Sequence, residues 1–280
     1  MQHSTEPKRI LCIHDLSAFG RCSLAVITPT LCAMGYQAVP LPTMVLSTHT
    51  GGLGTPAVCR DDAFGSAALA QYAALGITFD CIYTGYLGGM AGIALVQEAF
   101  ARFPAAYKIV DPVMGDHGKA YSSITPEFIA AMRGLAATAD LILPNFTEAH
   151  LLLQQPYPEG NVTDENANLA QALAAQLAAD CPGRNLVITG VPTPHNIGCA
   201  GMQGTTAFWV QQRRLARSFP GTGDLFGAVL LGALLHGNVL NAACEGAAAF
   251  VANAIQNTPE EADTRFGVCF EPLLKTLSLS

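Results

Sequence analysis

Short apolar runs alternate with longer alanine-rich segments along almost the whole chain, and this alternation restricts the possible folds more than any other feature. The apolar runs are continuous and do not alternate with polar residues, which is typical of parallel strands buried on both faces of a sheet. Segments long enough for helices lie between them, as in repeated strand–helix–strand units. The sequence therefore predicts an α/β fold in which helices cover both faces of a mostly parallel sheet.

The pattern also places the individual elements. Strands are predicted at 9–14, 79–86, 107–112, 140–144 and 185–190, and extended segments at 37–42 and 43–48. Helices are predicted at 22–35, 62–76, 90–103, 126–137, 165–180, 223–237 and 239–256. Residues 205–212 and 214–219 are compatible with an antiparallel hairpin, and the Gly-, Pro- and Thr-rich stretch 192–206 is predicted to be a mobile loop. No linker or internal repeat divides the chain, so residues 1–280 are expected to form a single domain.

Composition argues against several classes of function. Only 12% of the residues are charged, the net charge is −7 and the pI is about 5.4, so a general nucleic-acid-binding surface is not expected. No apolar run is long enough for a membrane span, and the first residues lack an apolar signal segment. The nine cysteines include no Cys-x-x-Cys pair, which indicates free thiols in a reducing cytoplasm.

Polar residues stand where several of the predicted strands end. Ligands of such sheets bind beyond the carboxyl ends of the strands. These positions carry His14, Asp15, the stretch 48–51, Gly85, Tyr86, Asp111, Asn145 and Thr189. A single polar residue at a strand end indicates little, because every loop begins at one. The number of such residues is what favours a ligand site here. Hydroxyls and imidazoles in "IHDLSAFGRCSL" and "LSTHTGGLG", among them His49, indicate recognition of a small polar heterocycle or alcohol.

The stretch "PGTGDLFGAVLLGALL" (220–235) places Asp224 between a glycine-rich turn and an apolar helix. Glycine lets a ligand approach the peptide N–H groups, and a helix start directs unpaired N–H groups and a positive dipole end towards that ligand. Such a site suits a phosphoryl group during transfer. Asp224 could accept the proton of a substrate hydroxyl there. The simpler alternative is a helix N-cap at Thr222 or Asp224.

Two further stretches place acidic or amide side chains directly after a buried strand. In "IVDPVMGDHGKAY", Asp111 and Asp116 could hold Mg²⁺ against triphosphate oxygens, directly or through water, or Asp111 could only close its own turn. In "LILPNFTEAHLL", Asn145 is followed by Thr147 and Glu148, which could equally cap a helix. The chain has neither a P-loop nor a Gly-x-Gly-x-x-Gly fingerprint after its first strand. A kinase built on this sequence is therefore neither a P-loop enzyme nor a protein kinase.

With these residues in view, the chain resembles the pyridoxal/pyridoxamine kinases of the ribokinase-like superfamily over most of its length. The segments that carry the resemblance are "STHTGG", "YTGYLG", "VDPVMGDHGKAY", "PNFTEAHLL", "VITG" and "PGTGDLFGAVLLGALL", in that order. The resemblance implies a three-layer α/β/α sandwich with little or no lid sheet, and a homodimer. It also implies ATP-dependent phosphorylation of the 5′-hydroxymethyl group of a vitamin B6 vitamer (pyridoxamine, pyridoxal or pyridoxine), with Mg²⁺ and often a monovalent cation such as K⁺.

The resemblance further implies roles for individual residues. Asp224 would be the catalytic base, and the anion hole would be formed by Gly221, Thr222 and Gly223. ATP would contact Asp111, Asn145, Glu148, Thr189 and Gly190. Mg²⁺ would be held by Asp111, Asp116 and Glu148. The pyridine ring would lie against Asp15, Ser17, Thr50, Gly51 and Tyr86. Loops such as 117–123 or 192–206 would cover the site.

The acceptor end departs from the pyridoxal kinase pattern. Asp15 stands where those enzymes have a serine, and "DLS" (15–17) is similar to the Asp-x-Ser of hydroxymethylpyrimidine kinases, which usually carry Gly-Thr-Gly-Cys in place of Gly-Thr-Gly-Asp. A vitamin B6 vitamer is therefore the favoured acceptor, with hydroxymethylpyrimidine as the alternative. A non-catalytic vitamin-binding protein of the same fold and a nicotinamide-dependent dehydrogenase are further alternatives, and the dehydrogenase lacks its fingerprint.

Overall fold

Nine strands form one sheet at the centre of the computed structural model, which describes residues 6–158, 162–180 and 184–277. Two further short strands pair only with each other. In chain order, the strands of these residues are β1 (Arg9–Phe19), β2 (Gln37–Thr48), β3 (Val58–Cys59), β4 (Cys81–Thr84), β5 (Tyr107–Val110), β6 (Gly115–Asp116), β7 (Lys119–Ala120), β8 (Leu141–Ile142), β9 (Asn185–Pro192), β10 (Asn196–Gln203) and β11 (Thr206–Arg213).

The order of strands across the large sheet is β11-β10-β9-β8-β5-β4-β1-β2-β3. The six strands from β9 to β2 run parallel, and antiparallel strands close both edges. In chain order, the first strands extend the sheet from β1 towards β3, and the later strands extend it in the opposite direction from β4 towards β11. The direction therefore changes between β1 and β4. Ligands of open α/β sheets bind outside the carboxyl ends of the strands at such a switch point. The predicted mostly parallel α/β fold is confirmed.

Helices cover both faces of the sheet, as the continuous apolar strands predict. Along β1, Leu11 and Ile13 face one buried layer while Ile10 and Cys12 face the other. The first layer is formed with helices α2 (Asp62–Ala74), α3 (Met90–Arg102), α4 (Pro126–Ala136), α5 (Phe146–Leu153) and α6 (Glu165–Asp180). The second is formed with α1 (Leu24–Ala33), α7 (Thr222–Leu235) and α8 (Leu240–Asn257). None of the helices in the described residues is long and apolar enough to cross a membrane.

The prediction of a mobile loop at 192–206 is wrong. Residues 196–203 form β10, the middle strand of an antiparallel meander with β9 and β11. The partner of β11 is therefore β10, and the predicted hairpin with residues 214–219 does not form. The glycines that suggested a loop make room for rings. A Cβ atom on Gly198 would lie 2.2 Å from the Trp209 ring, and one on Gly201 would lie 2.0 Å from the Phe208 ring.

Candidate active site

The sequence-predicted residues gather where the central parallel strands end. The Asp111 N–H donates to the Thr84 carbonyl at 3.0 Å, which holds the exits of β5 and β4 side by side. The Thr189 N–H donates to the carbonyl of Pro144 at 2.9 Å, and Asn145 lies next to Thr189 in a parallel bridge. One edge of the sheet therefore carries Asp111, Asn145 and Thr189 together, as the strand pattern predicts.

Asp224 lies at the start of α7, opposite the segment that joins β1 to α1. The backbone N–H of Ser23 donates to Asp224 Oδ2 at 2.7 Å. The approach depends on Gly221, whose φ is +76° and whose absent Cβ atom would lie 1.9 Å from the Arg21 carbonyl oxygen. Oδ1 of Asp224 has no hydrogen-bond partner among the residues that the structure describes. One carboxylate oxygen is thus anchored and the other is available to a ligand.

The surroundings of Asp224 raise the pKa of its carboxyl group towards neutral pH. The residue is partly exposed in the cleft, but the protein around its carboxylate excludes enough water that burial raises the pKa to about 7. The hydrogen bond from the Ser23 N–H opposes this shift, and the negative charge of Asp15 adds to it. A carboxylate with a pKa near the working pH suits proton abstraction, because it can both accept and release a proton there.

Asp15 is a second carboxylate close enough to act on Asp224 through its charge, and it is almost fully buried. Ser17 Oγ donates to Asp15 Oδ2 over a long 3.4 Å. Burial raises the pKa of Asp15, and hydrogen bonding from the Ser23 and Ser17 hydroxyls partly reverses that shift. Ser23 therefore serves both carboxylates, through its side chain for Asp15 and through its backbone for Asp224.

His49 holds the loop at the end of β2. Its Nε2 lies 2.6 Å from the carbonyl oxygen of Arg265, so Nε2 must carry the proton, and its Nδ1 accepts from the Gly51 N–H at 3.0 Å. Both ring nitrogens are therefore occupied by the backbone, and this histidine supports the neighbouring loop instead of facing a ligand. Thr50 and Gly51 themselves are exposed beside the cleft.

Hydrogen bonds connect the start of α5 to the turn that follows β5. Asn145 and Glu148 form a capping box, in which Asn145 Oδ1 accepts from the Glu148 N–H at 2.9 Å and Glu148 Oε2 accepts from the Asn145 N–H at 2.8 Å. Glu148 Oε1 also accepts from the Met114 N–H at 3.0 Å, and Asn145 Nδ2 donates to the Gly115 carbonyl at 2.8 Å. The helix is therefore capped by Asn145 and not by Thr147, whose Oγ1 instead accepts a hydrogen bond from the Gly118 N–H at 2.9 Å.

The three carboxylates predicted to hold a metal are not gathered into one direct ligand set. Among the described residues, no group of three His, Cys, Asp or Glu side chains is placed to hold a metal ion. Asp116 is exposed, and its Oδ2 lies 3.5 Å from Nε2 of His117. Glu148 is buried, and burial raises its pKa to about 8. Asp111 has its pKa raised well above the ordinary value by burial, then by the charges of Glu148 and Asp224.

Gly190 and Tyr86 are the remaining predicted contact residues. Gly190 follows Thr189 with a φ of +67° and open space where a side chain would stand. Tyr86 is partly buried, and its hydroxyl lies 3.2 Å from the hydroxyl of Ser123, which ties it to the loop before α4. That loop overlaps the predicted covering loop 117–123.

Sequence reasoning missed Ser23, which contacts Asp224 from 201 positions away in the chain. The residue has a φ of +53°, which is uncommon for a residue with a side chain and marks a backbone held in place by its surroundings. It lies inside the predicted helix 22–35, whereas the helix in the structure begins at Leu24. No local pattern could have shown the contact with α7, because that contact exists only in the folded chain.

Comparisons with known proteins agree with this geometry. Residues 30–268 match the model of the phosphomethylpyrimidine kinase family. The pyridoxine/pyridoxal/pyridoxamine kinase of Bordetella bronchiseptica is 27% identical over 91% of this chain and 90% of its own. Pyridoxal kinase from Lactobacillus plantarum is 34% identical over 96% of both chains, with a TM-score of 0.86. A Bacteroides thetaiotaomicron protein named as a phosphomethylpyrimidine kinase, crystallised with pyridoxal, is 36% identical over 97% of this chain and 96% of its own, with a TM-score of 0.88.

Proposed function

The chain belongs to the phosphomethylpyrimidine kinase family of the ribokinase-like superfamily, and from that premise we propose that it phosphorylates the 5′-hydroxymethyl group of a vitamin B6 vitamer with ATP. The observation that carries the proposal is the environment of Asp224. One of its oxygens is anchored by the Ser23 N–H, the other is free, and its pKa is raised to about 7 at the start of a helix. This arrangement suits a base that takes a proton from an alcohol beside a phosphoryl group.

The chemical step follows from these positions. The substrate hydroxyl gives its proton to Asp224 Oδ1 as its oxygen forms a bond to the γ-phosphorus. The bond between that phosphorus and the bridging oxygen of ATP breaks, and its electron pair leaves with ADP. The N–H groups of Thr222 and Gly223, at the start of α7, have no partner within the helix and stabilise the negative charge on the transferring group.

Magnesium fits the nucleotide side of this cleft. Asp111 and Glu148 have raised pKa values, so the carboxylates there are crowded by burial and by one another, and a cation would relieve that repulsion. Mg²⁺ commonly takes one or two carboxylates and completes its shell with phosphate oxygens and water. Asp111 would then be the direct ligand, and Glu148, whose oxygens both accept backbone N–H groups, would act through water. When bound, Mg²⁺ would neutralise charge that develops on the phosphates.

The acceptor is proposed to be a B6 vitamer because the similar proteins point that way. Two of the three relatives compared above are named as kinases of these vitamers, and the third binds pyridoxal in its crystal. Hydroxymethylpyrimidine is the second candidate, and the specific observation in its favour is the buried Asp15–Ser17 pair on the acceptor side. Either acceptor presents a hydroxymethyl group on an aromatic heterocycle, so the proposed chemical step is the same.

A substrate panel tests the proposal. Purified protein with Mg-ATP is assayed for ADP release with pyridoxal, pyridoxamine, pyridoxine and hydroxymethylpyrimidine in parallel. We expect turnover with at least one B6 vitamer, and a fall of roughly 10²–10⁴ in kcat for Asp224→Asn with an unchanged KM for ATP. Asp180→Asn, an exposed carboxylate at the end of α6, is the matched control and should behave as wild type. Binding of a vitamer without turnover, or an active Asp224→Asn, would reject the proposed mechanism.

Four further properties complete the proposal. The chain would act as one kinase domain over residues 1–280 and would assemble as a homodimer, which light scattering after size exclusion measures directly. Phe19 on β1 and Val58 on β3 are exposed apolar side chains, at 52% and 59%, that a second copy could cover. A reducing cytoplasmic location fits the eight free cysteines of the described residues. A requirement for K⁺ rests on the family resemblance and is tested by replacing K⁺ with Na⁺ in the assay.

A further inference from the structure

Buried polar groups without partners lie beneath the proposed active site. In the middle of β1 and at the carboxyl end of β4, no hydrogen-bond partner within the described residues is found for either ring nitrogen of His14, for the Tyr83 hydroxyl or for Thr84 Oγ1. All three residues are fully buried, and the rings of His14 and Tyr83 meet edge to face at 4.7 Å between centroids. Buried polar groups nearly always have a partner, and where protein supplies none an ordered water usually does.

The Tyr83 hydroxyl points towards the first turns of α7. A Cβ atom on Gly227 would lie 2.1 Å from the Tyr83 hydroxyl oxygen, so the phenol occupies the space that the glycine leaves. Gly227 follows Asp224 by three positions, which places the two residues on the same face of the helix. On the neighbouring strand, Tyr83 pairs with Ile109, two residues before Asp111. The hydroxyl therefore lies below the cleft, between the elements that carry Asp111 and Asp224.

The charges around this hydroxyl keep it protonated. Burial raises the pKa of Tyr83 well above its ordinary value, and the charges of Asp111 and Asp224 raise it further. His14, which packs against the ring, has its pKa lowered to about 3 by burial and is neutral. The titratable groups that face Tyr83 are Asp111 after β5, Asp224 on α7, Cys12 and His14 on β1 and Cys81 on its own strand. No cation is among them, so the hydroxyl is available only as a neutral donor.

We propose that Tyr83 is a positioning residue for the base: its hydroxyl donates, through one ordered water molecule, a hydrogen bond to the carboxylate of Asp224. Ser23 would then hold the carboxylate from the β1–α1 segment and Tyr83 from the floor of the cleft, which fixes its orientation towards the acceptor hydroxyl. A hydrogen bond donated to the ionised form also opposes the effect of burial and keeps the base ionised at lower pH. The inference rests on the role proposed above for Asp224.

Tyr83→Phe tests the proposal, with Tyr36→Phe as its matched control. Tyr36 is also a buried tyrosine against α7, but its hydroxyl donates at 2.8 Å to the Gly232 carbonyl, two turns beyond Asp224. The pH dependence of kcat/KM for the B6 vitamer is measured for both variants and for wild type. We expect the acidic limb of Tyr83→Phe to move up by about one pH unit, which is a tenfold loss of kcat/KM below the limb and little loss above it. Tyr36→Phe should unfold at a lower temperature and keep the wild-type limb.

A structural measurement provides a readout that does not depend on activity. A high-resolution crystal structure should show an ordered water within hydrogen-bond distance of both the Tyr83 hydroxyl and the Asp224 carboxylate, and the Tyr83→Phe crystal should lack it. The inference would be overturned if an active Tyr83→Phe variant kept the acidic limb of its kcat/KM profile at the wild-type pH. It would also be overturned by a wild-type crystal structure without this water. Absence of any vitamer turnover in wild type would instead refute the proposed function, and the crystal would still decide on the water.

Discussion

Gly221→Ala perturbs the contact between the start of α7 and the Arg21–Ser23 segment, on which the geometry of the base depends. The φ of Gly221 is +76°, and a residue with a side chain in this conformation loses about 1–2 kcal/mol of stability. A methyl group there would also lie 1.9 Å from the Arg21 carbonyl oxygen, so the two segments must separate by about 1 Å before the contact becomes tolerable. That separation pulls the Ser23 N–H away from Asp224 Oδ2, now 2.7 Å apart.

The expected result is a loss of both stability and turnover. A displacement of about 1 Å at reacting groups can cost about 10² in rate, so we expect kcat to fall about a hundredfold in the coupled ADP assay. We expect the free energy of unfolding to fall by at least the ~1–2 kcal/mol of the backbone strain, measured by urea denaturation.

Gly237→Ala separates these two effects. Gly237 follows the other end of α7 with a φ of +100°, but nothing lies within 4 Å of the position that its Cβ atom would take. This control therefore carries the backbone strain without the collision, and it should lose stability while keeping its turnover. If Gly221→Ala has the same turnover as Gly237→Ala, the contact with Arg21 does not set the geometry of the base and the reasoning is refuted.

Two other predictions concern the carboxylates. Asp15→Ser should change the ratio of kcat/KM values among the B6 vitamers and hydroxymethylpyrimidine more than it changes the KM for ATP, and an unchanged ratio would show that Asp15 does not contact the ring. Asp224→Asn should have a higher Tm than wild type at pH 8, with the difference narrowing towards pH 4. The pKa of Asp224 is raised from 3.8 to about 7 in the folded protein, so its ionisation costs stability as the pH rises through this window. Equal Tm values at pH 8 in differential scanning fluorimetry would contradict this sign.

The fold and the gathering of polar residues at the strand ends could be predicted because they depend on local patterns. A continuous apolar run predicts a strand buried on both faces, and parallel strands bring their ends to one edge, so Asp111 and Asn145 had to be neighbours. The prediction of a mobile loop at 192–206 is wrong because glycine, although typical of loops, also occurs within strands. In β10 the glycines instead accept the rings of β11, a relation between strands that no local pattern contains.

The acceptor side could be predicted only in part, because its contacts join distant segments. The sequence indicates Asp224 as an acid between a glycine-rich turn and an apolar helix. The Ser23 N–H that donates to it comes from the segment between β1 and α1. His49 was visible as a polar residue beside a predicted site, but its ring supports the Gly51 loop and the Arg265 carbonyl. Residue type alone does not distinguish Asp224, which keeps one carboxylate oxygen free, from His49, whose two ring nitrogens are bonded to the backbone.

The raised pKa values give the proposed site an order of events. Burial raises the pKa values of Asp15, Asp111 and Asp224 together, and the charges of Glu148 and Asp224 add to the shift at Asp111. Asp224, whose pKa is raised to about 7, is therefore partly protonated near neutral pH in the free protein. A divalent cation beside Asp111 would lower the pKa of Asp224 through its charge, because opposite charge favours the ionised form. Asp224 would then become fully competent as a base only after the nucleotide and its metal are in place, which couples proton abstraction to the presence of the phosphoryl donor.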